Sequence, residues 1–411
     1  MFTLYNFLIH IANVSLRVLA LFNHKIKLGV EGRKHTFTRL NSVLKEGDRS
    51  IWFHCASLGE YEQGLPVFEE IKKLYPEYKI VLSFFSPSGF EIKKNNSVAD
   101  VVVYLPIDTS RNAKQFINII DPELVIFVKY EFWPNFLNEI SKQNKKAILI
   151  SALLRPNQIF FKPHGKWMQK YLKAFDHFFV QNKASKNLFN SIGFENVTIS
   201  GDTRYDRVNN QLKIDNSLPF IEEFINNKLC FVGGSTWPEG ENYICNYINS
   251  YPSEEVKFII APHDIKPNRI KEIQKKLKVP TVLFSEKENE DLKESKVLII
   301  NTIGLLSKIY SHADIAYIGG AIGTTGLHNI LEPAVFGTPI IIGNNHTKFP
   351  EAKLMIDNGG VFCVNDELEF KSFLSQFINK TELRKKTGLL NSSFIKKNKG
   401  AVVQILDHLR R

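Results

Sequence analysis

The chain has 411 residues, 44% hydrophobic and 23% charged, with a formal net charge of +11. At roughly 150 residues per domain one core is too few and two is the working number, and a composition this ordinary, with no low-complexity tract, argues against a mainly disordered chain. Cys55, Cys230, Cys245 and Cys363 lie far apart without CxxC pairing, which excludes a zinc framework or disulfide scaffold and fits a reducing cytoplasm, while the basic excess favours an anionic partner: nucleic acid, acidic lipid or a phosphorylated substrate.

The first predicted element is an amphipathic helix over residues 1–24. Thr3, Asn6, His10, Asn13, Arg17 and His24 recur at steps of three and four with Ala20 filling the gap, and Phe2, Leu4, Phe7, Leu8, Ile11, Leu16, Val18 and Leu19 cover the rest. No small-residue cleavage site follows, so a cleaved secretion signal is not indicated. Instead Lys25, Lys27, Arg33 and Lys34 come at once, a cluster suited to an anionic cytoplasmic leaflet. The helix is read as a membrane anchor, spanning or lying in the interface, against the plainer reading of a helix packed on its own domain.

From Ile51 onward apolar strands alternate with helical stretches: "IWFHC", "KIVLSFF", "VVVYLP", "ELVIFV", "KAILIS", "HFFVQ" and "VTISG". That rhythm predicts βαβ units on a parallel sheet. It lapses in "RVNNQLKIDNSLPFIEEFINN", and a second series follows: "LCFVGG", "VKFIIAP", "TVLF", "KVLIIN", "DIAYIGG", "PIIIG" and "GVFCV". The expected organisation is a domain over 25–210, a linker over 211–227 and a domain over 228–411, with the last segment after Ala401 free to dock on either half. Two doubly wound halves imply a ligand cleft between them.

Two regions carry chemistry. "IWFHCASLGEYEQG" ends a buried strand in Ser57, Leu58, Gly59 and Glu60; Gly59 is expected to allow a sharp turn, and Glu60 stands where open α/β sheets place ligands. In the second half, "YIGGAIGTTGLHNILEPAVFGTPIIIG" predicts a strand, a Gly-rich loop and a helix starting near 327–329, whose unpartnered N–H groups suit a phosphate. The turn "GGSTWPEGE", with Ser235 and Thr236, supports a nucleotide site. No Walker lysine or complete dinucleotide fingerprint is present, so kinase, ATPase and dehydrogenase readings fall.

"HCASLGEYEQ", "SPSGFE", "YEFWPN", "SGDTRYD", "GGSTWPEGE", "NTIGLLSKIY" and "GGAIGTTGLHNILEPAVFGTPIIIG", in this order and spacing, resemble the 3-deoxy-D-manno-octulosonic acid (Kdo) transferase family of Gram-negative bacteria over nearly the whole chain. The resemblance implies an α/β glycosyltransferase B fold of two Rossmann-like domains. It implies transfer of Kdo from CMP-Kdo to a lipid A precursor, lipid IVA, in lipopolysaccharide core biosynthesis at the cytoplasmic side of the inner membrane. It implies as well inversion of the anomeric centre without metal or other cofactor, and no nucleic-acid partner.

The family's catalytic base falls on Glu60. A second acidic residue, of the E-x-WPN element, falls on Glu131, with Ser57 and Gly59 on the substrate side; the family's Asn-Ala-Arg stretch becomes "ISALLRPN" here, which leaves Arg155 as the substitute ligand for a phosphate or carboxylate. The family's CMP contacts fall on Pro262 and His263, on Ile303, Gly304 and Leu305, and on Asn329, Ile330, Leu331 and Glu332, with Ser235 and Thr236. The family's Pro-Arg-His appears here as Pro262, His263 and Asp264, and its Gly-Glu-Leu as Gly304, Leu305 and Leu306. Both departures remove charge, and Lys266 or Arg269 is the candidate replacement cation. Another enzyme of the same fold, such as a nucleotide-sugar epimerase or a different glycosyltransferase, is the nearest alternative. A basic non-catalytic scaffold for membrane or nucleic acid is the more distant one.

Overall fold

The computed structural model describes residues 1–95, 98–251 and 253–410. The first series of apolar runs forms β1 Ser50–Cys55, β2 Lys79–Phe84, β3 Val101–Tyr104, β4 Pro122–Val128, β5 Lys146–Ala152, β6 His177–Val180 and β7 Val197–Ile199. The second forms β8 Leu229–Thr236, β9 Val256–Pro262, β10 Thr281–Leu283, β11 Val297–Ile299, β12 Ile315–Ile318, β13 Ile340–Gly343 and β14 Val361–Val364. Each series makes one seven-stranded sheet, ordered β3-β2-β1-β4-β5-β6-β7 and β10-β11-β9-β8-β12-β13-β14. All recorded pairings are parallel. Parallel strands are covered by helices on both faces, which is why the runs are continuously apolar rather than alternating.

The strand orders locate the ligand-binding positions. The direction of winding reverses between β1 and β4 in the first sheet and between β8 and β12 in the second. At such a reversal the connections leave to opposite sides and open a crevice at the carboxyl ends of the strands.

The chain divides into two compact units, Met1–Arg207 with the chain's end from Lys399, and Val208–Asn398. This corrects the expected boundaries. The stretch 211–227 lies inside the second unit, because Ile221 and Phe224 of helix Pro219–Ile225 are buried beneath a polar exterior. The final helix, Ala401–Leu409, belongs to the first unit, where Val402, Ile405, Leu406 and Leu409 join the core. Its start is held by Asp206, which accepts from the N–H groups of Gly400 and Ala401 at 2.8 and 3.1 Å. Gly400 has φ +116°, a backbone only glycine adopts readily.

The N-terminal helix spans Phe2–Leu19. Phe2, Tyr5, Asn6, Ile9, Asn13 and Leu16 are half-buried, whereas Leu4, Phe7, Leu8, Ile11, Val14, Val18 and Leu19 are exposed. The inward side is therefore mixed, with Asn6 and Asn13 among Phe2, Tyr5, Ile9 and Leu16, while Thr3, His10 and Arg17 stay outside with the larger apolar set. Leu21 and Phe22, just beyond it, are the most exposed large apolar side chains of this region, at 79% and 84%.

Candidate active site

In the first unit, the helix Leu58–Leu74 begins immediately after β1, with Ser57 as its N-cap in extended backbone. Gly59 is not the turn residue the sequence suggests. It sits in the helix's first turn, and a Cβ there would meet only the Ser57 hydroxyl, at 3.9 Å. Its smallness leaves that turn open to an approaching ligand. Glu60 and Ser57 form a capping box, in which Glu60 Oε2 accepts from the Ser57 N–H at 2.7 Å and from its hydroxyl at 2.8 Å. Oε1 has no hydrogen-bond partner among the described residues.

Glu60 is only 7% exposed. Burial raises its carboxyl above the ordinary carboxylate range and the charge of Glu131 adds to this, while the Ser57 hydrogen bonds and Lys129 oppose it. A carboxylate that is desolvated, held by one oxygen and free at the other has the properties of a general base.

Glu131 follows β4, on the other side of the strand-order reversal from Glu60, and is 9% exposed. The Trp133 indole N–H donates to its Oε2 at 3.0 Å, and the same oxygen lies 3.4 Å from Nε2 of His54 on β1. His54 is fully buried, and its Nδ1 meets the Ser83 hydroxyl at 2.8 Å; the Trp52 indole donates to that hydroxyl at 2.7 Å. Trp133 also stacks on Phe85, with ring centroids 4.8 Å apart. Arg155 follows β5, is exposed, and its charge reaches the Tyr130 hydroxyl. Ser57, Glu60, Glu131 and Arg155 thus all stand at the carboxyl edge of β1, β4 and β5.

In the second unit the predicted nucleotide contacts also converge. Ser235 and Thr236 end β8, Pro262 and His263 end β9, Ile303 to Leu305 follow β11, and Asn329 to Glu332 follow β12. These four strands are neighbours in the sheet. Ser235 has φ +48°, and a Cβ at Gly319 would run into its carbonyl, so the two loops flanking the reversal approach as closely as glycine permits. The Trp237 ring stacks on His263 with centroids 4.7 Å apart, and its N–H donates to His328 Nε2 at 3.0 Å. His328 is held down to about 4 by burial and by His263, so it is neutral at physiological pH. Gly304 has φ +96° and Ile303 is 84% exposed beside it.

Two expectations about charge need revision here. The helix after the Gly-rich loop begins at Leu331, not near 327–329, and has only five residues. The Asn329 side chain accepts the Leu331 N–H at 3.1 Å, so little of a helix-start phosphate cradle is left. Glu332 lies in that turn as predicted, but its oxygens already accept from Asn329 Nδ2 at 3.0 Å and from the Ser307 hydroxyl at 3.1 Å. Arg269 pairs with buried Glu241 and with Glu272, and Lys266 pairs with Asp264 at 3.2 Å. Both candidate cations are therefore partly neutralised by neighbouring carboxylates. By contrast, the thirteen-residue helix Pro238–Ser250 opens at Trp237 without a side-chain cap.

His54, Ser83, Trp133 and Asp108 were not singled out from the sequence. Pairing of β1 with β2 and β4 brings His54 to Glu131 and Ser83 to His54, which single-chain spacing does not encode, whereas Trp133 stands only two residues from Glu131. Among the described residues no group of three or more His, Cys, Asp or Glu is placed to hold a metal ion.

Residues 31–207 match the family model described as 3-deoxy-D-manno-octulosonic-acid transferase (kdotransferase). The chain is 26% identical over 382 residues to the 3-deoxy-D-manno-octulosonic acid transferase of Haemophilus influenzae, covering 88% of this chain and 87% of that protein. It is 27% identical over 341 residues to the Aquifex aeolicus protein of the same name, covering 82% and 88%. Among solved structures, the UDP-GlcNAc 2-epimerase of Neisseria meningitidis superimposes with a TM-score of 0.63 at 19% identity, over 88% of this chain and 99% of that one. MurG of Acinetobacter baumannii does so with a TM-score of 0.55 at 9% identity, over 88% and 99%. The structural neighbours establish the two-domain glycosyltransferase B type of fold. The family model and the curated relatives make the chain similar to Kdo transferases.

Proposed function

We propose that the protein transfers Kdo from CMP-Kdo to a lipid A precursor, with inversion and without a metal, at the cytoplasmic face of the inner membrane. The observation that carries this reading is Glu60: a buried carboxylate of raised pKa, steadied through Oε2 by Ser57, at the strand-order reversal of the first sheet. In the proposed step Oε1 takes the proton of the acceptor hydroxyl, whose oxygen attacks the Kdo anomeric carbon. The bond from that carbon to the phosphate oxygen breaks and CMP leaves with the electron pair. Glu131 and Arg155 border the acceptor side, and the β8, β9, β11 and β12 termini hold CMP.

The outward apolar face of the N-terminal helix, continued by Leu21 and Phe22, supports contact with a bilayer, and the basic residues that follow suit an anionic leaflet. The epimerase neighbour shares the fold alone. Purified protein given CMP-Kdo and lipid IVA should release CMP and add Kdo mass to the lipid, also in the presence of EDTA. Release of CMP that is not matched by lipid product would mean another acceptor or simple hydrolysis.

A further inference from the structure

Glu131 is carried by a segment that runs directly into the helix Pro134–Lys142. That helix has a poor start of its own. Its N-cap, Trp133, makes no side-chain cap, and Pro134 occupies the first turn, so the N–H groups of Asn135 and Phe136 lack local acceptors. Asp108, from the loop after β3, supplies them: Oδ2 accepts from Asn135 and Oδ1 from Phe136, each at 3.1 Å. Its backbone carbonyl also accepts from Asn135 Nδ2 at 2.6 Å. Asp108 and Asn135 are 1% and 2% exposed, so this junction is sealed from water.

The remaining contacts come from the N-terminal helix. The Tyr5 hydroxyl donates to Asp108 Oδ2 at 2.6 Å, and Asn6 Oδ1 accepts from Asn135 Nδ2 at 2.8 Å. One turn earlier, Phe2 packs on the Trp167 and Tyr171 rings. A short hydroxyl-to-carboxylate bond in a buried site is among the stronger hydrogen bonds a protein makes. A tether that only needed to reach a bilayer would not require its register on the domain to be fixed. Here a slip of one residue turns the helix by about 100° and breaks both polar contacts.

We propose that Asp108 is a positioning residue for the loop bearing Glu131, and that Tyr5 and Asn6 make the N-terminal helix part of that positioning. The element that exposes the apolar face would then also set the active-site loop. The activity arm of the test rests on the transferase reading above; the exchange arm does not.

The test uses the full chain carrying Tyr5→Phe, which removes one hydroxyl and leaves the outward apolar face untouched, with Asp108→Asn as a second, stronger variant. For Tyr5→Phe we expect unchanged co-sedimentation with anionic phospholipid vesicles and a kcat for Kdo transfer lowered about three- to tenfold, the range one such hydrogen bond controls. Acceptor KM should stay within about twofold. Amide deuterium uptake over residues 131–137 should be faster than in the wild type. Wild-type kcat together with wild-type exchange in Tyr5→Phe would overturn the proposal. So would a loss of activity explained by lost vesicle binding with unchanged exchange, since the helix would then be an anchor only. A wild-type protein without Kdo transfer would sink the transferase reading, and exchange over 131–137 would still decide this one.

Discussion

Ser57 holds one oxygen of Glu60 twice, with its backbone N–H at 2.7 Å and its hydroxyl at 2.8 Å. Capping and catalysis are not competing roles for this carboxylate. The cap fixes Oε2 and thereby aims Oε1, and the donors on Oε2 favour the ionised form against the opposing effect of burial.

Ser57→Ala should therefore leave a working enzyme with a displaced pH profile. Removing the hydroxyl removes a bond that lowers the Glu60 pKa, so the acid limb of kcat/KM should move to higher pH. Loss of half the cap should lower stability by about 1 kcal/mol. A pH-rate profile with an unmoved acid limb would mean that Glu60 is not the group titrating in that limb.

Phe7→Ser combined with Leu8→Ser should weaken vesicle binding by at least about tenfold, since each side chain contributes up to about 1.5 to 3 kcal/mol when fully buried. Both are more than half exposed, so the melting temperature in detergent should hardly change. Sedimentation with vesicles in high salt reads the outcome. Unchanged binding would place the membrane contact elsewhere on the protein.

Glu332 fixes Ser307 and Asn329, and it lies beside the loops predicted to hold CMP. If it also accepts the ribose hydroxyls, Glu332→Ala should weaken CMP binding by at least about tenfold, because a hydrogen bond to a charged group contributes about 1.5 to 3 kcal/mol. Its protein partners are only part-buried, so the melting temperature without ligand should shift little. Calorimetric titration with CMP and a thermal scan of both proteins separate this from a purely structural role, which lowers the melting temperature and leaves affinity unchanged.

All fourteen strands and their grouping into two sheets were legible, because buried parallel strands leave continuous apolar runs that punctuation by Gly, Pro and polar helices sets apart. The position of Glu60 at a strand end followed from the same signal, whereas Glu131 came only through the family resemblance of the E-x-WPN element. What escaped depends on contacts distant in sequence. Asp108 acts on a helix start 27 residues away, and His54 meets Glu131 across 77 residues. The last helix returns to the first unit through Asp206, which accepts from an amide 194 residues away. The polar stretch 211–227 hid Ile221 and Phe224, whose spacing of three is too short a pattern to stand out. Gly59 was misjudged for another reason: glycine marks tight backbone and missing bulk alike, and only the backbone angles distinguish the two.

The most direct measurement is transfer from CMP-Kdo to lipid IVA by wild type and Glu60→Gln side by side, with CMP release and product mass followed in one reaction. The amide keeps the shape and can still accept from Ser57, but it cannot take the acceptor proton. A base of this kind typically contributes about 10² to 10⁴-fold. The raised pKa means that ionised Glu60 destabilises the fold above the unfolded pKa, with the penalty growing as pH rises through the folded value. The variant's melting temperature near pH 8 should therefore equal or exceed that of the wild type. The account predicts a folded variant with at most about a hundredth of wild-type turnover. A variant that keeps more than about a tenth would contradict it and move the base to another group, with Glu131 the next to test.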